Sequence, residues 1–393
     1  MKIGDQRNPF EFGRELDETE LVDRVEELGV LERSIQNRGK LFLIGPRRHG
    51  KTSLLSAVED RLTRTGAVIL RFNAEAYESL DLLAAAIVSA GASKLAGPLD
   101  KAGKVVAKIF AALKPEVSFD LATQKIKVSI APRSPAKSSE LPTLTQVLAG
   151  IDEMARDAAA PVAVILDEFQ QIVADGGAAA ERQLRAEIQT HRNVAYVFAG
   201  SKTRLLADMT GDPSRAFWKL GERYFIGPIP RADFIAFLRK GFEGAGHRVE
   251  ESALVAVLDL AEDVPYNVQR LAYAAWEMLR VDADAPLTTG ATRSALQLII
   301  KQEHPAYAQL WASLTKIQKK VLKAVILEGG RELTSRETLA RHGLPASTMH
   351  KTLALLDEKG ILREDERERV FYRLEDPFLG AWLRDAQDLP EAA

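Results

Sequence analysis

The chain has 393 residues, of which 46% are hydrophobic and 27% charged, and its formal net charge at pH 7 is −2. This composition is typical of a globular protein of two or three domains, and it excludes an overall electrostatic attraction to nucleic acid or membrane. The absence of cysteine excludes disulfides and thiolate chemistry. No apolar run is long enough to span a membrane and the N-terminus is too polar for a signal peptide, so we expect a cytoplasmic protein.

A phosphate-binding loop is predicted at residues 45–53. The run KLFLIG (40–45) predicts a strand, GPRRHGKT follows, and TSLLSAVEDRL (52–62) has helical spacing. Backbone N–H groups would converge on phosphate oxygens at the positive start of the helix, Lys51 would reach the β- and γ-phosphates, and Thr52 would bind Mg²⁺. The alternative is an ordinary strand-to-helix turn. The predicted nucleotide-binding residues of the loop are Gly45, Pro46, Arg47, Arg48, His49, Gly50, Lys51, Thr52 and Ser53.

A basic insertion is predicted after the second core strand, AVILRFNAE (67–75). It spans about residues 91–139 and contains nine Lys or Arg and three Asp or Glu, a balance of 9 − 3 = +6. KAGKVVAKIFAALK (101–114) predicts an amphipathic helix, and VSFDLATQKIKVSI (117–130) predicts a β-hairpin. Such a helix either binds an anionic membrane or nucleic acid, or packs on the core as a surface decoration.

Two carboxylates follow the buried run in PVAVILDEFQQI (161–172). At the carboxyl end of a parallel strand, Asp167 would hold Mg²⁺ beside the phosphate loop, and Glu168 would act as the general base. The alternative is an acidic loop after a core strand. The absence of an Asn/Thr-Lys-x-Asp motif argues against guanine and favours ATP. Ser201 ends a further strand, NVAYVFAGS (193–201), where it either bonds the attacking water or γ-phosphate or simply forms a turn.

In this order the segments resemble the archaeal-type ATPases of the STAND class, within the AAA+ superfamily of P-loop proteins. The resemblance begins at NPFEFG (8–13) and LVDRVEEL (21–28), continues through GPRRHGKTSLL, VAVILDEFQ and VFAGSKTRLL, and reaches SRAFWKLGERYFIGPIP (214–230). It implies that Arg24 lies near the adenine pocket and that Arg215 or Arg223 is a candidate arginine finger acting in trans. LVDRVEEL is equally consistent with a simple amphipathic helix.

Residues 1–227 are predicted to form this ATPase core and residues 228–308 an all-helical lid. Within the lid, DVPYNVQRLAYAAWEML (263–279) resembles the family's nucleotide-facing segment, and Pro265 is the predicted contact. Asp263 stands where the family has glycine, which puts the local turn in doubt. Arg270 is either a γ-phosphate sensor or a solvated helix residue.

Residues 309–393 resemble a winged helix-turn-helix. TKIQKKVLKAVILEG (315–329), SRETLARHG (335–343) and PASTMHKTLALLDEKG (345–360) predict three helices, and ILREDERERVFYRL (361–374) predicts two strands around a wing. Leu353, Leu355 and Leu356 are expected in the core. The 14 basic and 14 acidic residues of this segment leave protein binding as an alternative to DNA binding. The candidate DNA contacts are Ser347, Thr348, His350, Lys351, Arg367 and Arg369.

The sequence thus predicts an α/β protein: a P-loop NTPase parallel-sheet core with helices on both faces, an all-α lid and a winged helix. We expect a slow ATPase that uses Mg²⁺ and works as a switch, coupling its nucleotide state to double-stranded DNA, a protein partner or self-association through the winged helix. The alternative is a nucleotide-sensing regulator or scaffold with negligible hydrolysis, acting through protein contacts.

Overall fold

The structure is a computed structural model that describes residues 7–95, 143–201, 203–282, 285–364 and 372–389, together with the backbone of 116–120 and 125–129. The chain forms two compact units. One runs from Arg14 to Pro228, and the other combines the described residues up to Gly13 with those from Ile229 onward. The predicted helix at 101–114, Arg367 and Arg369 lie outside the described residues.

The first unit is built on a parallel sheet of five strands. The strands of this unit, in chain order, are β1 (Lys40–Ile44), β2 (Val68–Asn73), β3 (Glu116–Asp120), β4 (Lys125–Ser129), β5 (Val162–Asp167), β6 (Val194–Gly200) and β7 (Glu222–Phe225). The sheet has the spatial order β2-β5-β6-β1-β7, and every neighbouring pair in it is parallel. Strands β3 and β4 form a separate antiparallel pair, where the sequence predicts a hairpin.

Helices cover both faces of this sheet. They are α1 (Val25–Gln36), α2 (Lys51–Arg64), α3 (Leu80–Leu95), α4 (Leu144–Ala155), α5 (Gln170–Ile188) and α6 (Thr203–Gly211). Successive strand residues alternate between two hydrophobic clusters. Leu41 and Leu43 of β1 face α1 and α2, whereas Phe42 and Ile44 face α3, α4 and α5. Burial on both faces explains why the central strands are apolar throughout.

The edge strand β7 was not predicted from the sequence. Its four residues, ERYF, are mostly exposed and show neither a continuous apolar run nor a buried alternation. Its main chain nevertheless pairs with β1, from Leu41 opposite Glu222 to Ile44 opposite Phe225. The pairing depends on backbone groups, which the side-chain pattern does not report.

The second unit is helical and ends in a winged helix. Its helices and strands are α7 (Arg231–Gly244), α8 (Glu251–Leu260), α9 (Pro265–Leu279), α10 (Thr289–Ser313), α11 (Lys316–Leu327), α12 (Arg336–His342), α13 (Ala346–Glu358), β8 (Leu362–Glu364), β9 (Tyr372–Leu374) and α14 (Pro377–Ala386). The three predicted helices of the winged helix are α11, α12 and α13. Gly343 ends α12 in the left-handed conformation (φ +54°), as its position in the sequence suggests.

Helix α10 runs through residue 308, where the sequence placed the border between lid and winged helix. Its last turns belong structurally with α14. The hydroxyl of Tyr307 donates a hydrogen bond to Asp376 (3.0 Å), and the indole N–H of Trp382 donates to His304 Nδ1 (3.0 Å). A continuous helix therefore joins the helical part of this unit to its winged helix.

Two local expectations need correction. Leu353 and Leu356 are buried, but Leu355 is 40% exposed, because it lies on the outer face of α13. The doubtful turn at Asp263 keeps the backbone that a glycine would adopt, with φ +57°. The side chain of Asp263 accepts a hydrogen bond from Arg231 Nε (3.1 Å), an interaction that glycine lacks.

Candidate nucleotide site

The turn between β1 and α2 has the backbone of an anion-binding loop. Gly50 has φ +83°, and a Cβ built there would meet nothing within 4 Å. A Cβ on Gly45 would lie 3.1 Å from the Cβ of Ile226. The first hydrogen bond of α2 runs from Leu54 N to Gly50 O (2.9 Å), so the amides before Leu54 have no acceptor within the helix. They lie at the positive end of a fourteen-residue helix, which suits a phosphate.

Lys51 places its ammonium group inside the loop. Its Nζ donates hydrogen bonds to the carbonyl oxygens of Gly45 and Pro46, both at 2.8 Å. The residue is only 5% exposed. The loop thus holds a cation and a row of amides together, which is the arrangement needed to bind a polyphosphate.

Thr52 and Asp167 meet, although 115 positions separate them in the sequence. The Thr52 hydroxyl donates a hydrogen bond to Asp167 Oδ2 over 2.9 Å. Burial raises the pKa of Asp167, while the hydrogen bond from Thr52 works in the opposite direction. A buried carboxylate beside a hydroxyl is an oxygen donor set that fits Mg²⁺, which is commonly held by one or two protein ligands and the substrate phosphates. The described residues contain no group of three or more His, Asp or Glu that would form an all-protein metal site.

Glu168 lies directly after Asp167, in the left-handed conformation (φ +50°). Its Oε2 accepts hydrogen bonds from the Ser201 hydroxyl (2.8 Å), the Ser201 amide (3.2 Å) and the Gln170 side chain. Burial alone would raise the pKa of Glu168, but the hydrogen bonds from Gln170 and Ser201 and the charge of Lys51 outweigh burial and lower it. The hydrogen bonds therefore orient the carboxylate, and its lowered pKa favours the ionised form.

Strand order explains why Ser201 reaches Glu168. Strand β6 lies between β1 and β5 in the sheet, so Ser201 at its carboxyl end follows a strand that neighbours both β1, which leads into the phosphate loop, and β5, which leads into the two carboxylates. Arg47 of the loop donates from Nε to the Ser201 hydroxyl (3.3 Å), and its Nη2 contacts Glu75 at 3.5 Å. Ser201 is thus the point where the phosphate loop and the candidate base are connected.

Gln170 was missed by sequence reasoning. It is 3% exposed, its Nε2 donates to Glu168, and its Oε1 has no hydrogen-bond partner among the described residues. A Cβ at Gly200 would come within 2.2 Å of this Oε1, so the glycine leaves space for the glutamine. Its only sequence signal is its position two residues after Glu168. A polar residue at the start of a helix is common, so this position does not indicate a role in the site.

Three further predicted nucleotide contacts, one near the adenine pocket and two in the loop, are hydrogen-bonded within the protein. The Arg24 guanidinium is buried and donates to the carbonyl oxygens of Gly227 (3.1 Å) and His49 (3.4 Å). The Nδ1 of His49 lies 2.8 Å from the Arg47 carbonyl oxygen. Ser53 accepts a hydrogen bond from the Leu16 amide at 3.0 Å. Arg24 therefore links the loop to Gly227, and Ser53 links it to the chain before α1.

The other residues singled out in the sequence have the following partners and positions. Arg215 forms a two-pronged ion pair with Glu181, at 3.2 Å from Nε and 2.7 Å from Nη2. Pro265 is the first residue of α9, in the second unit. Arg270 is neither solvated nor free, because it pairs with Glu303 and its side chain is 13% exposed.

The predicted DNA-contact residues of α13 lie at the start of that helix. Ser347, His350 and Lys351 are exposed and Thr348 is half-buried, while Met349 between them is fully buried in the domain. The first turns of α13 thus present polar side chains outward, in the position from which helix-turn-helix proteins contact DNA bases.

Comparisons with known proteins agree with this architecture. A family model described as a probable winged helix domain matches residues 305–385. The Walker-type ATPase PABY2304 of Pyrococcus abyssi is similar with a TM-score of 0.64 and 19% identity, over 96% of this chain and 99% of that chain. The ORC2 protein of Aeropyrum pernix, solved as ADPNP–ADP complexes, has a TM-score of 0.55 and 16% identity over 99% of this chain and 97% of that chain. A comparison with curated proteins gives no match.

At these identities the likeness establishes the fold. The chain has an α/β P-loop ATPase fold, with a five-stranded parallel sheet, and it ends in a winged helix; the predicted fold class is confirmed. Among the described residues, no helix is long and apolar enough to cross a membrane.

Proposed function

We propose that the protein is an ATP-binding, slowly ATP-hydrolysing switch of the AAA+ type, in the STAND class, whose output module is the C-terminal winged helix. The observation that carries this proposal is the hydrogen bond between Thr52 and Asp167, with Glu168 next to it and Lys51 inside the loop. Similarity to a Walker-type ATPase and to a protein solved with ADPNP and ADP supports the choice of nucleotide.

The residues divide the work in a simple way. The amides of the loop and the Lys51 ammonium would bind the β- and γ-phosphates, and Thr52 and Asp167 would hold Mg²⁺. When bound, Mg²⁺ supplies positive charge that neutralises the phosphate oxygens. Glu168 would accept the proton of the attacking water at a carboxylate oxygen, and Ser201 would orient that water or the γ-phosphate. Arg215, the predicted arginine finger, is held by Glu181, so it would act on nucleotide only in a state in which that pair is open.

A second candidate function is nucleotide sensing with negligible hydrolysis. The hydrogen bonds around Glu168 favour it, because Oε2 accepts from the Ser201 hydroxyl, the Ser201 amide and Gln170. Hydrogen bonds to a charged group contribute about 1.5–3 kcal/mol each, so a water must displace strong donors before this oxygen takes a proton. The same arrangement would slow hydrolysis in which this oxygen takes the proton.

The test is Glu168→Gln, which keeps the shape and removes the base. We expect unchanged ATP binding by calorimetry with Mg²⁺, and a fall in steady-state phosphate release of about 100-fold or more. Glu153→Gln is the matched control, because Glu153 is an exposed carboxylate on α4. Turnover that survives Glu168→Gln would remove Glu168 from the role of base. ATP binding without turnover in the wild-type protein would favour the sensing function.

The output is assigned to the winged helix, with double-stranded DNA or a protein as its partner, and with self-association as a further response. The exposed start of α13 supports this part of the proposal. Mobility-shift experiments with ATP, ADP and no nucleotide would show whether nucleotide state controls DNA binding. The same affinity in all three states would rule out a nucleotide-dependent DNA switch.

A further inference from the structure

Helix α11, the first helix of the winged helix, carries a stripe of four lysines. We call Lys316, Lys319, Lys320 and Lys323 the lysine stripe. Their spacing of i, i+3, i+4 and i+7 places them on one face of the helix. The opposite face, including Val321, Leu322 and Val325, is buried in the domain. No acidic residue occurs within α11.

The equal numbers of acidic and basic residues in 309–393 give no sign of this basic surface, because the charges are unevenly distributed. Among the described residues, Glu328 pairs with Arg341 and His342, and Glu337 also pairs with Arg341. None of the four lysines takes part in an ion pair within the described part of the chain. These carboxylates already have basic partners, whereas none of the four lysines has an acidic one within the described residues, so the positive charge of α11 is not neutralised by ion pairs.

Three contacts fix the direction of the lysine stripe. The ammonium groups of Lys319 and Lys323 lie 5.3 and 5.8 Å from the ring centre of Trp311. Lys320 Nζ donates to the carbonyl oxygen of Gly343 (3.4 Å), at the turn that leads into α13. Lys319 and Lys323 are thus half-buried against the indole of Trp311, while Lys316 and Lys320 are exposed. The lysine stripe is thereby adjacent to the start of α13.

We infer that the lysine stripe is a contact surface for the phosphate backbone of double-stranded DNA, positioning the start of α13 against the duplex. This inference rests on the proposed role of the winged helix as the output module. The stripe runs from Lys316 to Lys323, seven rises of about 1.5 Å, which is about 10 Å of helix. Phosphates follow one DNA strand every 3.4 Å or so along the duplex axis, so the stripe covers about three of them. Phosphate contacts supply affinity and register, and the base edges remain for α13.

The experiment measures binding of the full-length protein to a random-sequence duplex by fluorescence anisotropy, from 50 to 200 mM salt. The test variant changes all four stripe lysines to glutamine. The control changes four other exposed lysines, Lys219, Lys240, Lys301 and Lys359, to glutamine and so has the same net charge. A milder variant, with Lys316 and Lys320 alone changed, guards against misfolding. Thermal unfolding checks each protein.

We expect the slope of log affinity against log salt to fall by about 2.7 in the stripe variant, at about 0.9 per lost phosphate contact. Over the fourfold rise in salt, the fold-loss in affinity of the wild type should then be about 40 times the fold-loss of the stripe variant. The milder variant should lose about half of this slope, and the control should keep the wild-type slope.

Equal losses in the control and stripe variants would overturn the inference, because they would reflect net charge alone. Absence of duplex binding by the wild type would also overturn it, as would binding to vesicles of 25% anionic lipid without binding to the duplex. ATP binding is measured on the same samples. If the wild-type protein bound the duplex but not ATP, the proposed nucleotide function would be refuted, and the inference about the lysine stripe would not be affected.

Discussion

Replacing Arg215 with alanine separates a structural role from a role as an arginine finger. Arg215 donates twice to Glu181, whose side chain is only 4% exposed, and the Ala216 amide donates a third hydrogen bond at 3.2 Å. The substitution leaves a buried carboxylate with one donor. Removing one partner of a buried ion pair costs about 3–5 kcal/mol, and we expect about 3 kcal/mol because the Arg215 side chain is 30% exposed.

The assay is urea denaturation, followed by circular dichroism, with thermal unfolding alongside. A loss of about 3 kcal/mol corresponds to a fall in melting temperature of about 6–12 °C for a unit of this size. Combining Arg215→Ala with Glu181→Leu should recover part of the free energy of unfolding, because no charge is then left buried. If Arg215 stays paired with Glu181 during turnover, phosphate release per folded molecule of Arg215→Ala should stay within about twofold of wild type.

The refuting result is the opposite pattern. An unfolding free energy within 0.5 kcal/mol of wild type, together with a tenfold or larger loss of turnover, would show that Arg215 is free to act on nucleotide. Mixing Arg215→Ala with Glu168→Gln protein would then restore turnover if the arginine acts on a neighbouring copy. Without such restoration, Arg215 would act within its own chain.

Two further predictions concern single hydrogen-bonding groups. Gln170→Met should raise phosphate release, because Glu168 loses a donor that competes with the attacking water. The free energy of unfolding should change little, because a buried oxygen without a partner among the described residues is lost as well. Gln171→Met is the control, and equal rates of phosphate release in the two variants would contradict the prediction. Asp263→Gly should change the free energy of unfolding by less than about 1 kcal/mol, since relief of left-handed strain offsets the lost contact with Arg231. Asp263→Ala loses the same contact and keeps the strain, so it should be less stable than Asp263→Gly by about 1–2 kcal/mol in urea denaturation, and equal stability of the two variants would be the contrary result.

The candidate site was predictable where the chemistry is local. The order of apolar run, glycine loop and helix predicted the turn from Gly45 to Thr52, because each part depends on residues next to it in the chain. The pair Asp167 and Glu168 was predictable as the end of a buried strand. That Asp167 approaches Thr52, and that Ser201 bonds Glu168, depends on β6 lying between β1 and β5, which no local pattern encodes.

What the sequence by itself determined is the set of elements with strong local signals: the apolar central strands, the phosphate loop, the helix ends at glycine and the winged helix. Tertiary structure alone decided the partners of Gln170, Arg215 and Arg270, the exposure of Leu355, and the pairing of β7. The physical reason is that hydrophobic periodicity reports burial along one element. Ion pairs, buried hydrogen bonds and edge-strand pairing instead join residues far apart in the chain, so they are defined only once the elements have packed.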